Sequence, residues 1–197
     1  MAEFMYEIKV PKDRIAVLIG KKGEVKKQIE ETTKTKIKID SSEGDVSVSG
    51  EDALGLYTTK EVIDAIGRGF NPEFAMFLLK QDYSFEKINL KDYVGESKKD
   101  QERVRGRVIG AEGKSRKLIE ELTETHISVY GKTVGIIGEA ENAAMAKEAI
   151  INLLNGSQHG NVYKWLEKKR KDKKRRTMTG EQDEAFKQEI KEEEKEE

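Results

Sequence analysis

The chain has no cysteine, two prolines and one tryptophan in 197 residues. Without cysteine there is no disulfide, no thiolate-bound zinc and no thiol nucleophile, which suits a reducing compartment. His126 and His159 are the only histidines; they stand far apart and assemble no metal site. His126 is expected on the solvent face of a strand, and His159 just before the last helix. No stretch approaches the roughly 18 apolar residues of a membrane-spanning helix. Residues 1–10 alternate polar and apolar side chains instead of passing from a basic start to an apolar run. No secretory leader is expected, and the cytoplasm is the expected compartment. A Gly-x-x-x-x-Gly-Lys-Ser/Thr phosphate loop is missing, as is any nucleophile–base–orienter set. Glu30-Glu31 and Glu120-Glu121 look like paired carboxylates, but adjacent helical residues do not face each other. Their expected role is to neutralise nearby lysines. Enzymatic activity, a cofactor and a metal are therefore not expected.

What is present is charge. Lys and Arg number 37 against 38 Asp and Glu, for a net charge of −1, and 36% of residues are hydrophobic. The balance hides a segregation. Residues 164–176 hold nine Lys or Arg, and residues 181–197 hold nine acidic residues. A basic body is masked by an acidic end.

The strongest signal is internal repetition. Ile19-Gly20-Lys21-Lys22-Gly23 opens a segment that returns ninety residues later as Ile109-Gly110-Ala111-Glu112-Gly113. Between residues 19 and 39, ten of 21 positions recur unchanged at that offset, including Thr33, Thr35 and Ile37 as Thr123, Thr125 and Ile127. An ungapped match of that size implies duplication of one structural unit.

The periodicities give each copy an element order. Residues 4–10 read as a strand that Pro11 ends. Ile15, Leu18 and Ile19 mark a short helix, Gly20 and Gly23 a tight turn, and Val25 and Ile29 the next helix. Residues 36–39 alternate as a half-buried strand, residues 46–48 form another, and residues 51–67 form a helix. The second copy repeats β-α-α-β-β-α, with strands at 83–90, 126–129 and 134–137 and a last helix lined by Ala143, Ala146, Ile150 and Leu153. Asn71-Pro72-Glu73 starts a short helical spacer. The expected organisation is α+β: a first domain over 1–70, a spacer over 71–82, a second domain with a basic C-terminal helix over 83–176, and an acidic disordered tail over 177–197. Tyr163 and Trp165 are expected to pack at the start of the basic helix.

Gly-x-x-Gly between two helices is suited to gripping a nucleic-acid backbone. Glycine permits the sharp turn and removes the Cβ atoms that would hold a ligand away. The following helix offers unpaired N–H groups and a positive dipole end. Lys21, Lys22, Lys26 and Lys27 are placed to add charge-assisted contacts, as are Lys114, Arg116 and Lys117. Ile37 and Ile39, or Ile127 and Val129, would form the opposite wall, where apolar groups meet unstacked bases and strand backbone reads them. Arg103, Arg105, Arg107 and, on the C-terminal helix, Lys168, Lys169 and Arg170 extend the basic surface of the second half. Single-stranded RNA or DNA is the expected ligand. A scaffold with vestigial turns remains an alternative, supported by the anion of Glu112 inside the second turn.

In this arrangement each copy resembles the type I KH module. The narrower resemblance is to the archaeal branch of the partner-of-Nob family, factors for small-ribosomal-subunit assembly and pre-rRNA processing. It rests on residues 107–113 (Arg-Val-Ile-Gly-Ala-Glu-Gly), 127–134 (Ile-Ser-Val-Tyr-Gly-Lys-Thr-Val) and 159–167 (His-Gly-Asn-Val-Tyr-Lys-Trp-Leu-Glu), and covers residues 1 to about 176. The resemblance implies two tandem type I KH domains binding small-subunit rRNA near its 3′ end, within the pre-ribosomal small subunit. It also implies association with a PIN-domain endonuclease, and with translation factors sharing that rRNA surface. A KH protein of another RNA system is the alternative within the class.

Overall fold

The computed structural model describes residues 4–179. The first copy folds as β1 (Phe4–Lys9), α1 (Lys12–Ile19), α2 (Glu24–Thr33), β2 (Lys36–Asp40), β3 (Asp45–Gly50) and α3 (Ala53–Gly67). A link of α4 (Pro72–Ala75) and a 3-10 turn (Met76–Leu79) leads to the second copy. There follow β4 (Tyr83–Asn89), α5 (Lys91–Val94), α6 (Lys98–Ile109), α7 (Lys114–Thr123), β5 (His126–Tyr130), β6 (Thr133–Glu139) and α8 (Ala140–Leu154). A long helix, α9 (His159–Thr179), closes the described chain. Residues 177–179, expected in the tail, continue this helix. The acidic segment from 180 onward lies outside the described residues.

Local chemistry sets the boundaries. Pro11 stands at the N-cap of α1, where its missing N–H costs nothing. The Asp52 carboxylate accepts from the N–H groups of Leu54 and Gly55 at 3.2 and 2.9 Å, and Ser97 Oγ accepts from Asp100 at 3.3 Å. Such caps are worth about 1 kcal/mol each. At the far end of α2 and α7, Lys34 and Glu124 adopt left-handed φ of 55° and 54°, which turns the chain into β2 and β5. The flanking threonines staple that turn: Thr33 Oγ1 donates to Ile29 O at 2.8 Å and bonds Thr35, and Thr123 repeats this with Ile119 and Thr125. The repeated Thr-x-Thr is thus a structural device.

Each sheet is antiparallel with the last-formed strand central, in orders β1-β3-β2 and β4-β6-β5. Helices cover one face of each. Leu18, Ile29, Ile37, Val48 and Ile63 fill the first core; Val108, Ile119, Ile136, Ile150 and Leu153 fill the second. Each such side chain contributes about 1.5–3 kcal/mol.

The two sheets treat their other face differently. Cross-strand partners share a face, so Phe85, Ile137, Gly135, His126, Ser128 and Tyr130 form the outward side of the second sheet. That side is covered by the end of α3 and the link. Phe85 and Ile137 join the first core, and Phe70 meets Phe85 edge-on at 6.0 Å. Two glycines permit the approach. A β-carbon on Gly135 would lie 2.8 Å from the Phe70 ring, and one on Gly69 would lie 2.7 Å from Ser128 Oγ. Polar ties surround this contact: Ser128 Oγ donates to Arg68 O at 2.9 Å, Arg68 to Thr133 Oγ1 at 3.2 Å, and Tyr130 to Asp13 at 2.5 Å. His126 is consequently not a solvent-facing residue. It stacks on Phe74 and Phe77 at 4.3 and 5.4 Å, and burial pushes its pKa down. The second domain's outward face is buried against the first, which strand alternation alone does not reveal.

Candidate nucleic-acid interface

The two Gly-x-x-Gly turns have nearly the same backbone. Gly20, Lys22 and Gly23 have φ of 74°, 52° and 81°; Gly110, Glu112 and Gly113 have 72°, 53° and 76°. Lys22 and Glu112 hold a left-handed conformation that costs a non-glycine residue about 1–2 kcal/mol, and its occurrence in both copies marks a conformation that is maintained. The glycines differ in purpose. A β-carbon at Gly20 would stand 2.5 Å from Val25 Cγ2, and at Gly110 2.6 Å from Ser115 Cβ, so these permit the turn to pack on its own helix. At Gly23 and Gly113 nothing lies within 4 Å. These second glycines leave an open floor over which a ligand backbone can pass. Neither α2 nor α7 has a side-chain cap; the N–H groups of Glu24 and Lys114 donate within the turn to Lys21 O and Ala111 O, and the positive end of each helix dipole faces the turn.

Charge around the turns is distributed unequally. Lys21 and Lys22 are exposed and enter no ion pair among the described residues, whereas Lys26 and Lys27 lie 3.9 and 3.6 Å from Glu30 and Glu31. In the second turn Lys114 sits 3.2 Å from Glu112, so the anion inside the turn is met locally; Ala111 adds no charge. Arg116 lies 3.6 Å from Glu120, and Lys117 is exposed. Glu30 and Glu120 have a further task. Each accepts the backbone N–H of the facing strand, Ile37 or Ile127, at 2.7 Å.

That bond also reveals the orientation of the groove wall. β2 and β5 are outer strands, and the N–H groups of Ile37 and Ile127 point away from their sheets. By the two-residue period of a strand, the backbone groups of Ile39 and Val129 point the same way. Each groove therefore runs between an open turn and a strand edge that offers donors and acceptors to a base. The apolar wall needs one correction. Ile37 and Ile127 are only 1% and 4% exposed and belong to the cores, leaving Ile39 and Val129, half-buried, to face a ligand.

Not all the expected basic residues reach the interface. Arg107 donates to Leu153 O and Ser157 O at 3.0 and 2.6 Å, tying α6 to the end of α8. Arg14, which sequence reasoning passed over, does the same in the first domain through Ile66 O and Phe70 O. Arg105 donates to Gly131 O, and Arg103 pairs with Asp100. On α9, Val162 and Leu166 are buried. Arg170, Lys173 and Arg176 turn to Glu124, Glu139 and Glu141 at 2.9–3.9 Å. Lys168 is exposed, and Lys169 lies over the Trp165 ring at 5.6 Å. One side of the basic helix thus holds it to the domain. Among the described residues no acidic or histidine cluster is arranged to hold a metal ion, and no helix is long and apolar enough to cross a membrane.

Two type I KH folds, each with an open Gly-x-x-Gly turn facing a free strand edge, define an RNA-binding protein of the KH class. Comparison with known proteins narrows this. The eukaryotic-type (type I) KH-domain model for the second domain of PNO1 matches residues 84–171, and a general KH-domain model matches residues 5–65. A KH domain-containing protein of Methanocaldococcus jannaschii is 48% identical over 172 residues, covering 85% of this chain and 75% of its own. The pre-rRNA-processing protein PNO1 of Chaetomium thermophilum is 35% identical over 107 residues, and the match covers 52% of this chain and 40% of that protein. Among solved structures, an Aeropyrum pernix protein superposes with a TM-score of 0.86 at 37% identity, covering 93% of this chain and all of that one. Dim2p of Pyrococcus horikoshii, in a complex with a/eIF2alpha and rRNA, gives 0.80 at 48% identity, covering 86% of this chain and 96% of its own. The chain belongs to the PNO1 family of KH-domain proteins.

Proposed function

We propose that this protein holds single-stranded small-subunit rRNA near its 3′ end during ribosome assembly and pre-rRNA processing, without catalysing a step itself. The observation that carries the reading is the duplicated pairing of an open second glycine with a strand edge that no other strand covers. It supplies a backbone clamp and a base-reading edge twice in one chain. The domains divide the work. The first turn, with Lys21 and Lys22 free, contributes electrostatic hold. The second, locally neutral, contributes more of the reading. The rRNA seen with Dim2p of Pyrococcus horikoshii and the pre-rRNA-processing names of the relatives support the substrate. The a/eIF2alpha in that complex supports a translation factor as one partner. A PIN-domain endonuclease is the second partner expected, and the cytoplasm the compartment.

The test is fluorescence anisotropy with a 12-nucleotide single-stranded RNA from the 3′ end of small-subunit rRNA, beside a scrambled RNA. Preferential binding of the first, with both RNAs left intact in the presence of Mg²⁺, is the expected result. Equal binding of both, or cleavage, contradicts the proposal.

A further inference from the structure

Beside the second groove, and sharing part of its wall, lies a cavity of about 630 Å³. It is bounded by Asn71 and Phe74 of the link, Arg116 and Glu120 of α7, and His126 and Ile127 of β5. We infer that this cavity is a stacking subsite for one unstacked base, lying beyond those held against the β5 edge and resting on the Phe74–His126 pair. The inference builds on the RNA-binding reading and adds to it a contact that the KH module itself does not contain, since a third of the lining residues come from the end of α3 and the interdomain link.

Continuity is the first support. Arg116 and Glu120 belong to both the groove and the cavity, and the Glu120–Ile127 bond lies where the two meet. A nucleotide chain following the strand edge is led into this space. The second support is the aromatic surface. Phe74 and His126 are half-buried, with ring centres 4.3 Å apart and planes at 33°. Burial lowers the His126 pKa, overriding the attraction of Glu120 and Glu73, so near pH 7 the imidazole is a neutral stacking group. The third support is polar. Arg116 Nε is shielded from solvent and donates no hydrogen bond, with a Glu120 oxygen 3.6 Å away. A base in the cavity meets this guanidinium as its one cationic neighbour.

Charge decides what kind of group enters. Glu120, Glu121 and Glu124 line the cavity against a single arginine. A phosphate is disfavoured there. A neutral base is not, and its exocyclic amino group finds carboxylate acceptors. Adenine, cytosine and guanine fit that chemistry better than uracil. The first domain has no counterpart: the position of His126 is occupied there by exposed Lys36.

The experiment scans 2-aminopurine through the same 12-nucleotide RNA, one position at a time. The wild-type protein is expected to quench one position just outside the groove. Phe74→Leu should remove that quench and weaken binding about 10-fold, within the roughly 1–3 kcal/mol of one base–aromatic stack. Phe74→Trp should restore both, which a purely structural role would not do. Deleting that nucleotide should weaken the wild type as much and leave Phe74→Leu unchanged. RNA binding with no Phe74-dependent position overturns the subsite alone. So does loss of affinity without loss of quench, together with displacement of the RNA by an oligoarginine peptide, which would assign the cavity to a protein cation. Failure of the wild type to bind any RNA overturns the functional reading and the subsite together.

Discussion

The two halves arose from one unit, yet their sheets end in opposite environments. The first sheet's outward face carries Met5, Glu7 and Lys9 on β1, Asp45, Ser47 and Ser49 on β3, and Lys36 and Lys38 on β2. The matching face of the second carries Tyr83, Phe85, Gly135, Ile137, His126, Ser128 and Tyr130, with Lys87, Asn89, Thr133 and Glu139 beside them. One face is polar and faces water. The other has become an interdomain interface of aromatic, small and hydroxyl groups. A duplicated domain can keep its turn and core while its spare surface is re-used for assembly. The turns diverged too: Lys21 and Lys22 of the first stand where the second has Ala111 and Glu112.

The largest expected effect comes from filling the interface. Gly135→Val places a branched side chain where Phe70 already stands, and should destabilise the protein by about 3 kcal/mol. The matching change in the first sheet, Ser47→Val, should stay within about 0.5 kcal/mol. Urea unfolding of both variants measures the contrast, and equal effects would break it. Next is the second turn. Gly113→Asp brings an anion to the open floor and should cost roughly 10- to 100-fold in affinity for the preferred RNA, with the scrambled RNA less affected. Anisotropy titrations decide this. Lys21→Asp with Lys22→Asp should instead weaken both RNAs alike. The slope of log affinity against log salt should fall by about 2, since two phosphate contacts are lost.

The smallest effect concerns pH. His126 has a folded pKa below its unfolded value of about 6.5, so the unfolded chain binds the proton more readily. Its contribution to stability is complete above that unfolded value and is lost as pH falls through the folded pKa. Thermal unfolding from pH 7.5 to 5 should show a decline that His126→Phe reduces. An unchanged slope would show that the link does not bury this ring as described.

Much of this was legible in advance because it is local. Helix, turn, helix and strand follow one another within about 20 residues, and the duplication displayed them twice. What escaped depends on contacts far along the chain. Arg107 looks like a phosphate ligand among basic neighbours, but its carbonyl partners lie 46 and 50 residues away. Alternation at Ile37 and Ile39 announced a half-buried strand. It did not say that the first isoleucine ends in the core and the second at the groove, which depends on the pairing with β3. The covered sheet did leave a trace: Lys36 and Lys38 become His126 and Ser128 in the repeat. That change tells of a new environment without naming Phe70 and Phe74 as its cause.

The most direct test of the central claim is one titration series. The 3′-end rRNA oligonucleotide and its scrambled partner are bound to wild type, to Lys21→Asp with Lys22→Asp, and to Gly113→Asp, at two salt concentrations. The expected result is a wild-type preference that survives the lysine changes with reduced affinity and collapses in Gly113→Asp. A preference that persists in Gly113→Asp, or one absent from the wild type, would contradict it.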